Sequence, residues 1–213
     1  MEIGGFAGIA YSFCRWFVRL AYLNLLWVIF SLVGLIVFGF FPSTVALFTV
    51  TRKWIMGDTD FPTGKVYWKT YKSEFIKSNV LGLILTFIGW IIYYNLMFLS
   101  GMEGVVSQIL FLGMISMLIV YILILMYIFP VFVHYDTSLF QTIKNAFLIG
   151  VTSPMYTIIA VLSALLTYLL LILLDLFIFF NISTIGLLVM WCAYQSFEKI
   201  DRDKVEQETV STH

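Results

Sequence analysis

Hydrophobic positions along this chain come in long blocks rather than in short alternations. Between Arg19 and Arg52, and again over 78–102, 104–133, 145–174 and 176–197, there is no Asp, Glu, Lys or Arg. These five runs hold 32, 25, 30, 30 and 22 residues. About 20 apolar residues cross the hydrocarbon core of a bilayer as a helix, so each run can cross at least once. Barrel strands would alternate apolar and polar residues over about 10 positions, and these runs do not alternate. The pattern predicts an all-α fold: a polytopic transmembrane helical bundle of five or six membrane helices. It forms a single integral membrane domain over 1–213, ending in a polar tail at 198–213.

Composition agrees with the pattern. The chain is 62% hydrophobic and 11% charged, with mean hydropathy +1.00, whereas soluble domains carry about 25% charged residues. The lipid bilayer is therefore a partner. The formal net charge is zero, which argues against nucleic acid. Met1-Glu-Ile-Gly-Gly lacks a basic n-region, so no cleaved signal peptide is expected. Cys14 and Cys192 form no metal spacing and read as unpaired thiols in helices.

Lys and Arg in short loops concentrate on the cytoplasmic side. With one crossing per run, residues 52–77, Lys144 and the tail share one side with ten cations, and Arg15 and Arg19 lie opposite. If the first run crosses twice, turning around Gly34 and Gly39 with Pro42 starting a short return helix, all twelve cations fall inside. Both termini are then cytoplasmic. Proline is tolerated in a first helical turn. The return over 42–56 is only about 22 Å long at 1.5 Å per residue, short of a hydrocarbon core of about 30 Å. It must be tilted, sheltered by other helices or only partly inserted. Six membrane elements with an imperfect second one is the preferred arrangement. The last apolar block suits a hairpin turning within 175–184, where Asp175, Asn181, Ser183 and Thr184 are polar.

Two polar segments, about 63–77 and 137–149, are expected as amphipathic cytoplasmic helices. In the first, Lys65, Lys69 and Lys72 share one face, and Trp68, Tyr71 and Phe75 another, with Tyr67 beside them. Such a helix either anchors in a membrane interface or offers a docking surface to another protein. In the second, Asp136, Thr137 or Ser138 could cap the start and Gly150 suits the end. Leu139, Ile143, Ala146 and Phe147 line one side, and Lys144 and Asn145 face elsewhere. Lys144, Asn145 and Phe147 join the first segment's residues as candidates for docking a partner.

Enzyme chemistry finds no purchase here. The chain has no GxxxxGK[ST], HExxH or GxSxG motif. Its two histidines, His134 and His213, make no cluster, so no cofactor or metal site is expected. Asn24 and Asn95 are placed to hydrogen-bond between helices, and Gly82 and Gly89 to let helices approach closely. A transporter acting alone would instead need a polar pathway, for which Asn24, Asn95, Tyr93, Tyr94 and Asp175 are the candidates.

The stretches Asn24-Leu-Leu-Trp27, Gly34-Leu-Ile-Val-Phe-Gly39, Phe41-Pro-Ser-Thr-Val-Ala-Leu-Phe48 and Arg52-Lys-Trp54, with Lys144-Asn-Ala-Phe-Leu148 before Pro154, resemble the YesL family of bacterial integral membrane proteins. The resemblance covers essentially the whole chain in length and segment order. It implies a Gram-positive bacterial cell membrane and a link to carbohydrate utilisation. The implied role is an accessory subunit or assembly partner of an ATP-binding-cassette oligosaccharide importer, meeting its permease subunits. No catalytic residue defines the family, so none is carried over.

Overall fold

The computed structural model describes residues 6–173 and 180–211, and those residues form helices without any strand. In chain order they are α1 Phe6–Val33, α2 Val37–Ile55, α3 Thr63–Ser73, α4 Phe75–Ser100, α5 Val105–His134, α6 Leu139–Thr152, α7 Pro154–Leu173 and α8 Asn181–Ser211. Three helical segments, Tyr11–Val33, Phe75–Ser100 and Val105–His134, are long and apolar enough to cross a membrane. Helices α6 and α7 meet at 96° and make a fourth if the bent pair is one span. The bend has a local cause. Ser153 precedes a proline, which disfavours helical backbone there, and Pro154 opens α7 where its missing N–H costs nothing.

Helix α2 is the centre of the molecule. It packs on α1, α3, α4, α5 and α8, and Val45, Ala46, Leu47, Val50 and Thr51 are all buried. A helix apolar on every side belongs inside a protein. The return segment is therefore a helix, but it begins at Val37 rather than Pro42. Its 19 residues span about 28 Å, and the other helices shelter it.

The early start follows from the turn. A Cβ on Gly34 would lie 2.3 Å from the Gly39 Cα, and one on Gly39 would lie 2.4 Å from the Ser31 carbonyl oxygen. Only hydrogen side chains let α1 and α2 close so tightly. At the tip, Leu35 and Ile36 take φ of 58° and 64°. That left-handed backbone costs a non-glycine residue about 1–3 kcal/mol.

Pro42 thus falls inside α2, where it cannot donate to the Phe38 carbonyl one turn back. The Asn79 amide of α4 replaces that donor, with its Nδ2 2.9 Å from the Phe38 oxygen. Neighbouring side chains commonly satisfy the backbone groups that proline frees in membrane helices. At the next step along α4, the Phe41 ring fills the space beside Gly82. The contact thus ties α4 to α2.

The C-terminal segment differs from a simple polar tail, because α8 continues as one helix from Asn181 to Ser211. Helices α7 and α8 pack on each other, as a hairpin requires. Asp175 lies outside the described residues. Both thiols are free, Cys14 exposed and Cys192 buried.

Candidate docking surface

Residues 63–73 form the expected helix, α3, but its aromatic face points into the protein. Pro62 stands at the N-cap position with φ −71° and ψ 90°, and its carbonyl accepts the Lys65 and Val66 N–H groups. Tyr67 is fully buried and donates to the Ser43 carbonyl at 2.8 Å. Tyr71 is buried too and donates to the Phe30 carbonyl at 3.2 Å. The Phe30 ring sits among Tyr67, Trp68 and Tyr71, with centroids 5.1–5.4 Å away. Burial raises the hydroxyls of Tyr67 and Tyr71 above the ordinary tyrosine value, so both remain neutral donors.

This corrects the expectation that Tyr71 is available for docking. Helical periodicity places Tyr67 and Tyr71 together, and backbone carbonyls of α1 and α2 give their hydroxyls partners indoors. Phe75 is also reassigned. The helix breaks at Glu74, with φ −95° and ψ 5°, and Phe75 becomes the first, half-buried residue of α4. Lys65, Trp68, Lys69 and Lys72 do stay exposed.

The second amphipathic segment, α6, buries Thr142, Ala146, Ile149 and Gly150. Ser138 takes the N-cap position, and the helix runs two residues beyond Gly150 to Thr152. Lys144 and Phe147 are exposed, so Phe147 stands apart from Leu139, Ile143 and Ala146, which face the core. Asn145 is half-buried beside Tyr135, Leu148 and Ile200. Helix α3 packs on α1, α2 and α4, whereas α6 packs on α5, α7 and α8. The two candidate surfaces have different neighbours.

The helix-packing candidates divide. Gly82 faces Phe41 of α2, and Gly89 faces Tyr121 of α5, whose hydroxyl donates to the Leu85 carbonyl at 2.9 Å. Both glycines therefore serve contacts within the chain, and their face is already occupied. Asn24 is buried, and its side-chain oxygen has no partner among the described residues. Asn95 is exposed and donates to Ile91 of its own helix, at 2.8 Å, rather than bridging helices. Tyr93 and Tyr94 are exposed on α4 as well. Among the described candidates for a pathway, Asn24 is buried on α1 and the other three are exposed on α4.

One polar cavity exists that sequence patterns do not indicate. It holds about 340 Å³ between α2, α3, α4 and α5. Thr49, Thr70, Ser73, Glu74, Lys77, His134 and Asp136 line it over a floor that includes Phe132. Lys77 lies 3.7 Å from Asp136 and sits over the Phe132 ring at 5.2 Å. Beside the cavity, Arg52 Nε donates to His134 Nδ1 at 3.2 Å, joining α2 to α5. No cluster that could hold a metal ion occurs among the described residues.

Apolar helices of spanning length around a buried central helix, with no strand among the described residues, define a polytopic α-helical membrane protein. Its family is given by comparison with known proteins. Residues 20–96 match the family model "Protein of unknown function, DUF624". The chain is 37% identical to YteU of Bacillus subtilis (strain 168) over 212 residues, covering 99% of this chain and 95% of that protein. It is 32% identical to YesL of the same organism over 197 residues, covering 92% and 93%. With YesV the identity is 35% over 192 residues, covering 90% and 92%. The chain belongs to this YesL-like family, and these three B. subtilis relatives are described as uncharacterized. No solved structure matches it. The stretch matched by the family model contains the Gly34–Gly39 turn, the Pro42–Asn79 pair and α3.

Proposed function

We propose that this protein is a non-enzymatic membrane subunit, an accessory or assembly partner of an ATP-binding-cassette importer for oligosaccharides. The carbohydrate setting comes from the family resemblance. The observation that carries the partner role is the outer face of α4. Phe87, Trp90, Tyr94 and Phe98 are exposed there, and Trp90 stacks edge-on with Tyr94 at 4.9 Å. Rigid aromatic groups held by their neighbours give a second membrane protein something to pack against. A transporter acting alone is disfavoured because Asn24 is buried on α1 whereas Tyr93, Tyr94 and Asn95 are exposed on α4.

The protein resides in the bacterial plasma membrane with both termini in the cytoplasm. The antiparallel α1–α2 hairpin supports this, since it brings Trp16 against Trp54 at 5.7 Å and so puts Arg15 and Arg19 near Arg52 and Lys53.

The test is photo-crosslinking in living cells, with a reactive residue at Trp90 or, as a buried control, at Leu85. The expected result is an adduct with an importer permease at Trp90 and none at Leu85. Lipid adducts alone at Trp90 would refute the contact.

A further inference from the structure

Beside the basic row of α3, Tyr71 is buried and Phe75 half-buried, while Trp68 stays exposed, and this sharpens what the row can bind. Lys65, Lys69 and Lys72 project from one side of a helix whose opposite side is fixed by two buried tyrosine hydrogen bonds. None of the three has an ion-pair partner among the described residues. The pairs found there are Lys53–Asp58 and Lys77–Asp136. The row is therefore rigid, positive and uncompensated. It is also flanked by apolar surface: Trp68 is 48% exposed and Ile76 77%. On the Trp68 side runs α1, whose Phe30 packs on Trp68 and whose neighbouring positions Ile29 and Val33 are exposed.

The geometry points to a site for anionic phospholipid, with headgroup phosphates on Lys65, Lys69 and Lys72 and acyl chains along Trp68, Ile76 and the exposed edge of α1. An acidic protein segment would satisfy the lysines, but it would leave the adjoining apolar edge in contact with nothing of its own kind. A lipid satisfies both. Each lysine close to an anionic headgroup layer contributes about 1 kcal/mol, so three together favour anionic over neutral lipid by about a hundredfold. Because the lysines are exposed, added salt screens the preference within a Debye length of about 8–10 Å.

The full-length protein, reconstituted in nanodiscs of equal phosphatidylglycerol and phosphatidylcholine, can be released and weighed by native mass spectrometry. The wild type is expected to retain phosphatidylglycerol adducts in large excess over phosphatidylcholine. The triple variant K65Q/K69Q/K72Q is expected to lose that excess, and K65R/K69R/K72R, which keeps the charges, to retain it. Equal adducts of the two lipids on the wild type would overturn the proposal, as would an undiminished excess on the glutamine variant. Binding of a poly-glutamate peptide without any phosphatidylglycerol preference would also overturn it, and would assign the row to a protein partner.

Discussion

Substituting Asn79 with alanine tests how the central helix survives its own proline. Asn79 makes two hydrogen bonds, to the Phe38 carbonyl at 2.9 Å and to the Phe75 carbonyl at 2.8 Å. The second lies within α4 and has nothing to do with Pro42. The first serves the acceptor that Pro42 leaves open. Side-chain bonds between membrane helices average about 0.6 kcal/mol and reach about 1.7. A carbonyl stripped of its partner away from water costs about 1–3 kcal/mol. Asn79→Ala should therefore destabilise the protein by about 1–2 kcal/mol. In a Pro42→Ala background the returned N–H at residue 42 supplies the Phe38 carbonyl, and the same substitution should cost roughly half as much. The loss of the Phe75 bond is common to both backgrounds and cancels in the cycle. Reversible unfolding of the four proteins in mixed micelles, followed by circular dichroism, gives the coupling directly. A value of about 0.5–1.5 kcal/mol is expected. Strict additivity, within the ~0.3–0.5 kcal/mol usual for independent sites, would refute the replacement of the proline's missing donor.

Other consequences are equally direct. Gly34→Ala or Gly39→Ala drives a methyl group into backbone that no rotamer change can move, so each should cost at least the ~1–3 kcal/mol typical of overpacking. Gly113→Ala meets nothing within 4 Å and should instead stabilise α5 by about 0.5–1 kcal/mol, in the same unfolding assay. Tyr67→Phe removes the bond to Ser43 while keeping the ring, for a loss of about 0.5–1.5 kcal/mol. Tyr67→Ala should lose about 3–5 kcal/mol, and equal effects of the two would mean that the hydroxyl matters as much as the ring.

Much of this architecture is legible in the residues, and the failures have a common physical origin. Blocks without charge reveal the apolar helices, and the spacing of lysines and aromatics reveals α3, because both depend on local periodicity. What covers a helical face is a non-local matter. The partners of Tyr67 and Tyr71 lie 24 and 41 residues away, and no pattern within α3 names them. Helix α2 starts ahead of the proline for a related reason. A proline's preference for the first turn is weak, whereas the Gly34–Gly39 contact fixes the turn geometrically. The pairing of Asn79 with Pro42 had a usable signal, since a proline inside an apolar helix demands a foreign donor. Asn95, by contrast, looked like a bridge because of its depth in an apolar run, yet its own helix satisfies it. The cavity near His134 joins four helices from distant parts of the chain and leaves no sequence trace.

Recovery of the intact protein with its neighbours tests the proposed role most directly. The tagged chain would be extracted from its native host in gentle detergent, after growth on polysaccharide, and co-eluting proteins identified and quantified by mass spectrometry. An importer permease at a stoichiometric ratio is the predicted result, with the ratio falling when Trp90 and Tyr94 are replaced by charged residues. A solitary protein that moves solute by itself in liposomes would contradict the account.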